Sequence, residues 1–299
     1  MLLQRDILFF FKSIRTPVLD RFFTLITNFG DVYLAIPFML IILWCIDRKK
    51  GISICLAILS AVSVNTLVKS AFSVPRPWTV HPELDSIGKH RAIGPSFPSG
   101  HSATASSLFT AVFINFRKNW VRFMCVLLCL SVLTSRLYMT VHWPMDVATG
   151  FTIGLICAVI TAKWARRMDE TKNYDVLMLM GALLCIVGFV SAWMIDCGRI
   201  DALRFEEFPS NLGMAGAVAM GISIEETFFP FSAKGPRWKR LVRYLIGLAG
   251  VGLLMMATKK LLPSGQIFRA LRYSVTGIWA SALWPYLGLK MNLFRISKD

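Results

Sequence analysis

Residues 142–164, HWPMDVATGFTIGLICAVITAKW, carry both the architecture and the chemistry of this chain in one stretch. From Val147 to Ala162 there is no charged residue, and an apolar run of this length approaches the roughly 20 residues that a helix needs to cross a bilayer. Pro144 suits the first turn of that helix, where a missing N–H costs nothing. Gly150 and Gly154 stand at the small-xxx-small spacing by which membrane helices pack closely. Just before the run, His142 and Asp146 lie four residues apart, so the carboxylate can reach back to the imidazole.

Comparable apolar segments occur at 32–46, 52–72, 102–116, 121–138, 176–195, 212–229, 241–256 and 270–289, which makes about nine helices in all. Several are shorter than a full span, a mismatch that tilt or local thinning can absorb. Composition agrees: of 299 residues, 55% are hydrophobic and 17% charged, with mean hydropathy +0.58, too apolar for an ordinary soluble domain. The expected fold is an all-α, polytopic membrane bundle. Residues 1–31 interleave Arg5, Asp6, Lys12, Arg15, Asp20 and Arg21 with apolar residues, which reads as an interfacial amphipathic segment with Ile7, Phe10 and Phe11 dipping into the membrane rather than as a signal peptide. Residues 32–170 form the motif-bearing core and 171–299 a further set of helices without a motif. Gly213, Ala217 and Gly221 repeat the small-residue spacing there.

The formal charge of +16 comes from 33 basic and 17 acidic residues, placed in short clusters between apolar segments rather than along one face. Anionic lipid headgroups are therefore the expected partner and nucleic acid is not. The clusters at 48–50, 117–122, 163–167 and 234–243 fall on one alternating side, which the positive-inside rule makes cytoplasmic. The N-terminus and the loops at 73–100, 139–145 and 196–209 then face outward. None of the seven cysteines forms a CxxC pair, so they read as small core residues, with Cys197 in a loop. Glu225 and Glu226 read as an exposed helix end.

Polar residues concentrate in three places, all on the expected outer face. Lys69 ends an apolar helix, and Pro75 and Pro77 break the chain around Arg76. Pro98-Ser99-Gly100-His101 precedes the helix at 102; Ser99 or Gly100 can cap it, and the free N–H groups of a helix start make a seat for phosphate. Ser135-Arg136 ends another helix, and His142 and Asp146 follow. An Asp holding one ring nitrogen fixes the tautomer and leaves the other nitrogen free to attack.

Taken together, Lys69-x6-Arg76-Pro77, Pro98-Ser99-Gly100-His101 and Ser135-Arg136-x5-His142-x3-Asp146 resemble, without a mismatch, the three-part signature of the type-2 phosphatidic-acid phosphatase superfamily. The resemblance covers residues 32–165. It implies a hydrolase acting on a lipid phosphate or pyrophosphate, with His142 as nucleophile forming a phosphohistidine, His101 as acid and base, and Asp146 as the orienting carboxylate. Lys69, Arg76, Ser99, Gly100 and Arg136 would bind the phosphate, and neither cofactor nor metal is expected. A glucose-6-phosphatase-like enzyme and a headgroup-binding transporter are the alternatives. His81 and His90 have no matching role and read as solvated loop residues, though Trp78, Glu83 and Asp85 beside them could shape headgroup access. The absence of an Asn-x-Ser/Thr sequon favours a bacterial plasma membrane, with the site facing outward.

Overall fold

Small residues decide where these helices meet. A computed structural model describes residues 2–89 and 94–297, so His90 lies outside the described residues. The chain is 79% helical and divides into two compact units, Met1–Ile36 with Ser60–Ala162, and Pro37–Leu59 with Lys163–Asp299.

The first unit contains α1 (Leu2–Ser13), α2 (Pro17–Ile26), a 3-10 turn at Thr27–Gly30, the C-terminal part of α4 (Arg48–Ala71), the short α5 (Pro77–Val80), α6 (Gly100–Asn115), α7 (Asn119–Tyr138) and most of α8 (Pro144–Thr171). Thr16 caps α2 by accepting from the Leu19 N–H at 3.3 Å, and Pro17 opens the helix. α6 is enclosed: Ser102, Ala103, Thr104, Ala105, Ser106 and Ser107 are all buried in succession. Its polar side chains are satisfied locally, as where Ser106 Oγ donates to the Phe151 carbonyl at 2.8 Å. Gly150 and Gly154 of α8 face it; a Cβ on either would fall 2.4 Å from the Ser99 or Ala103 carbonyl oxygen. Any side chain there would push the two helices apart.

The second unit holds α9 (Asp175–Asp196), α10 (Phe208–Phe228), α11 (Arg237–Leu261), α12 (Gln266–Ile278), a π-helical turn at Trp279–Leu283 and α13 (Trp284–Lys290). It also takes in the end of α3 (Val32–Ile41), the π-helical turn at Ile42–Ile46 and the start of α4. Here α10 is the enclosed helix, packed on α9 and α12. A Cβ on Gly216 would stand 2.5 Å from the Gly181 carbonyl, one on Gly213 2.7 Å from Ser274 Oγ. Strands β1 (Phe231–Ser232) and β2 (Arg295–Ile296) pair antiparallel and tie the C-terminus down.

Among the described residues five helices, α4, α7, α8, α9 and α11, are long and apolar enough to cross a membrane, or six spans if the pair Pro17–Gly30 and Val32–Ile46, bent by 56°, counts as one. The expected segments at 102–116, 212–229 and 270–289 fall outside that set for different reasons. α6 has only 16 residues, α10 mixes small residues with Pro209, Asn211, Glu225 and Glu226, and the last is interrupted by the π turn before α13. A helix enclosed by its neighbours needs no lipid-facing apolar surface, so hydropathy undercounts such elements.

Glu225 and Glu226 are not an exposed helix end. Glu225 is 2% exposed, and Arg48 Nε meets it at 3.1 Å while Arg48 Nη2 contacts Glu226. The Phe231 N–H donates to Glu225 Oε1 at 2.8 Å. The cation that draws these carboxylates inward lies 177 residues earlier in the chain. The cysteines are all free; Cys55, Cys125 and Cys129 are buried and Cys197 exposed.

Candidate active site

All eight proposed site residues belong to the first unit. α4 carries Lys69 and ends at Ala71; the extended segment after it leaves Arg76 as the N-cap of α5. Arg136 sits in the last turn of α7, where a cation complements the helix dipole. Ser99 caps α6, its Oγ accepting from Ser102 N–H at 3.4 Å and from Ser102 Oγ at 2.9 Å. The link 139–143 then delivers His142, and Asp146 lies in the first turn of α8.

These elements bring His142 between an acid and a base. Arg76 Nη1 stands 3.4 Å from His142 Nε2, and His142 Nδ1 stands 3.4 Å from Asp146 Oδ2. Because a guanidinium can only donate, the first contact assigns the lone pair to Nε2 and the proton to Nδ1, toward the carboxylate. Arg76 is itself held by donating through Nε to the Gly94 carbonyl at 3.0 Å and through Nη1 to the Val141 carbonyl at 3.2 Å. Its guanidinium also stacks over Trp78 at 5.3 Å. Burial is deep: Ser99 is fully enclosed, Asp146 is 1% exposed, His142 3%, Arg136 5% and Arg76 6%. Lys69, Gly100 and His101 are partly buried.

Burial first, and then the charges of Arg76, Arg136 and Lys69, hold His142 well below the usual histidine range. His101 is likewise held well below it by burial and then by Arg136, Lys69 and Arg76. Both imidazoles are therefore neutral near pH 7, and the same three cations reach both rings. A site of this kind presents a neutral imidazole beside donors suited to a tetrahedral anion.

Sequence reasoning missed three partners. Ser96 Oγ donates to Asp146 Oδ2 at 2.5 Å, and the Trp143 N–H donates to the same oxygen at 2.9 Å. Thr27 Oγ1 accepts from Arg136 Nη1 at 2.7 Å. Ser96 stands five residues before His101, close enough to the second motif to have been considered; nothing in the sequence ties Thr27 to Arg136. His81 is not simply solvated: it is partly buried, its ring meets Trp143 and Phe9 edge-on, and Nδ1 lies 3.2 Å from Glu83 Oε1.

Comparison with known proteins bears on both halves of the chain. Residues 50–170 match the family model of the PAP2 superfamily, and residues 210–297 match that of the PAP2 superfamily phosphatase, transmembrane extension. The C-terminal helices from residue 210 onward, in which the sequence showed no motif, thus match an extension described for the same superfamily. A Dictyostelium discoideum protein described as a probable sphingosine-1-phosphate phosphatase is 25% identical over 193 residues, 58% of this chain and 46% of that protein. An undecaprenyl-diphosphatase of Sulfolobus acidocaldarius is 26% identical over 138 residues, 46% of this chain and 66% of that protein. The chain therefore spans about half to two thirds of these relatives. The crystal structure of Aquifex aeolicus LpxE aligns with a TM-score of 0.48 and 29% identity, covering 53% of this chain and 93% of that one. With both models matched and the three motifs intact, the chain belongs to the PAP2 superfamily.

Proposed function

We propose that this chain hydrolyses a lipid phosphate or pyrophosphate, of the phosphatidic-acid or undecaprenyl-pyrophosphate type, through a phosphohistidine. The observation that carries the reading is His142 held between Arg76 and Asp146, with Nε2 free of its proton. Membership of the superfamily supports it, as do relatives named as a probable sphingosine-1-phosphate phosphatase and an undecaprenyl-diphosphatase.

Phosphoryl transfer asks the protein chiefly to position the group and neutralise its oxygens. Lys69, Arg76 and Arg136 supply charge, and the Ser99 hydroxyl and Gly100 N–H supply further donors. His142 Nε2 attacks phosphorus in line, the P–O bond to the lipid breaks, and His101 gives its proton to the leaving oxygen. Asp146 stabilises the Nδ1–H as the ring becomes cationic. Water then gives its proton to His101 and attacks phosphorus, breaking the P–N bond and releasing phosphate. The neutral state of His101 in the unliganded site calls for a proton before the first step. A bound phosphate dianion offsets the three cations that lower its basicity, so substrate binding itself prepares the acid.

The C-terminal helices, the nine apolar segments and the N-terminal amphipathic helices are read as one membrane-embedded protein, in which α6 and α10 are buried spans. The loop charges support an outward-facing site and a bacterial plasma membrane, with anionic headgroups against the cytoplasmic arginines and lysines. The exposed Leu2, Leu3, Phe10, Val18 and Leu25 of α1 and α2 support an interfacial seat for residues 1–31.

The test is a substrate panel: purified protein is offered phosphatidic acid, undecaprenyl pyrophosphate and glucose 6-phosphate, and phosphate release is measured. Fastest release from one of the lipids is expected. Preference for glucose 6-phosphate would overturn the lipid assignment, and lipid movement across vesicles without phosphate release would favour a transporter.

A further inference from the structure

The 3-10 turn Thr27–Gly30 lies before the family match, which begins at residue 50, and outside all three motifs. It nevertheless touches two of the groups on which the chemistry depends. Thr27 is 7% exposed, and its Oγ1 accepts from Arg136 Nη1 at 2.7 Å. Arg136 Nε is buried and has no hydrogen-bond partner among the described residues. At the other end of the turn, a Cβ on Gly30 would stand 2.9 Å from the His101 carbonyl oxygen, 3.1 Å from His101 Cβ and 2.7 Å from Val132 Cγ1, one helical turn before Arg136. The turn is therefore wedged between the start of α6 and the end of α7.

Its own position is fixed from the N-terminal side. Tyr138 OH donates to Asp20 Oδ1 at 2.6 Å, and the Arg15 guanidinium donates to the Tyr138 carbonyl at 3.1 Å and to Thr140 Oγ1 at 2.8 Å. The Met145 N–H donates to Gln4 Oε1 at 3.1 Å. α1 and α2 thus hold both sides of the link that carries His142.

We propose that the Thr27–Gly30 turn is a positioning element of the active site: Thr27 fixes the Arg136 fork for phosphate, and Gly30 sets the place of the His101 backbone. This rests on the phosphatase reading above. Thr27 is suited to the task because its hydroxyl is an acceptor with no charge, so it orients the guanidinium without cancelling the charge that phosphate needs. A carboxylate there would occupy the cation permanently. Gly30 is suited because no larger residue leaves room for His101.

The experiment compares Thr27→Val, Thr27→Ser and Gly30→Ala in the full chain, in detergent, with inorganic vanadate as inhibitor and a lipid phosphate as substrate. Valine keeps the shape and removes the acceptor, so the vanadate inhibition constant and KM are expected to rise roughly tenfold to a hundredfold while kcat changes less. Serine restores the acceptor and is expected to restore affinity. Gly30→Ala is expected to lower kcat with vanadate affinity retained. Wild-type affinity in Thr27→Val, or an equal loss in Thr27→Ser, overturns the assignment; wild-type kcat in Gly30→Ala overturns its His101 half. A parent protein that binds vanadate but releases no phosphate would instead defeat the phosphatase reading, and Thr27→Val would still report on Arg136.

Discussion

Two helices of this chain are enclosed by others, α6 in the first unit and α10 in the second, and each meets buried charge at one end. The balance of that charge differs. Where α6 begins, the assembled residues carry three cations, Lys69, Arg76 and Arg136, against Asp146 and two neutral imidazoles, with the carboxylate of Asp31 in electrostatic reach of Arg136. Where α10 ends, one cation, Arg48, faces two carboxylates, Glu225 and Glu226, and Glu225 also accepts a backbone N–H. The second cluster holds one carboxylate more than its cation balances, with the Phe231 N–H taking up part of that charge; the first holds a surplus of positive charge that an anion can neutralise. Burial alone therefore does not mark a functional site; what sets the first cluster apart is the positive sign of its excess and the two imidazoles beside it.

Breaking the two clusters should have opposite consequences. Arg48→Met leaves two carboxylates buried together and is expected to cost about 3–5 kcal/mol of stability, measured as a lower thermal midpoint in detergent. Exchanging Arg48, Glu225 and Glu226 together for apolar residues of similar volume should recover most of it. If Arg48→Met leaves the midpoint unchanged, the second cluster is not the closed ion pair described here. Arg136→Gln, in contrast, removes a cation from a surplus. Its kcat/KM is expected to fall by roughly 10²–10³ with the midpoint little changed, and a large loss of stability would show that Arg136 serves the fold.

A smaller effect sharpens the first cluster further. Ser96 donates to the same Asp146 oxygen that faces His142, so Ser96→Ala should lower kcat by roughly tenfold, the scale of one hydrogen bond to a charged group. With one donor fewer, the carboxylate pulls harder on the Nδ1–H, and the acid limb of the rate profile should move upward in pH. An unchanged profile would reduce Ser96 to packing.

The smallest effect is on stability itself. His142 and His101 are held below the histidine value of 6.5 in the folded chain and regain that value when unfolded. As pH falls below about 6.5 the unfolded chain takes up protons that the folded chain refuses. Stability should therefore rise with pH up to about 6.5 and then level from this source. Saturating vanadate, by offsetting the three cations, should flatten the slope. A slope of the same size in the double variant His101→Asn, His142→Asn would assign it to other groups.

The parts of the site that could be read from sequence are those whose partners are near in the chain. His142 and Asp146 are one helical turn apart, Ser99 and His101 flank one helix start, and Lys69 and Arg76 bracket one helix end. Thr27 reaches Arg136 across 109 positions, and Arg48 reaches Glu225 across 177; such pairs are made by tertiary packing and leave no spacing to recognise. The same limit applies to the fold. All of these helices read as apolar segments, but α9 and α11 have the length and hydropathy of a span, whereas α6 (read at 102–116) and α10 (read at 212–229) fall short of it; which helices are enclosed is what the sequence did not show. The segment at 270–289 reads as one span but is broken by the π turn, where Trp279 stacks on Trp284 and donates to the Gly247 carbonyl at 3.1 Å.

The proposed role of His142 as the nucleophile can be tested directly. The purified protein is mixed with a lipid carrying a radiolabelled phosphate, quenched within a turnover and mapped by peptide. Label stable to base and labile to acid on the peptide containing His142, and absent in His142→Asn along with phosphate release, is the predicted result. Label on another residue, or phosphate release that persists in His142→Asn, would contradict it.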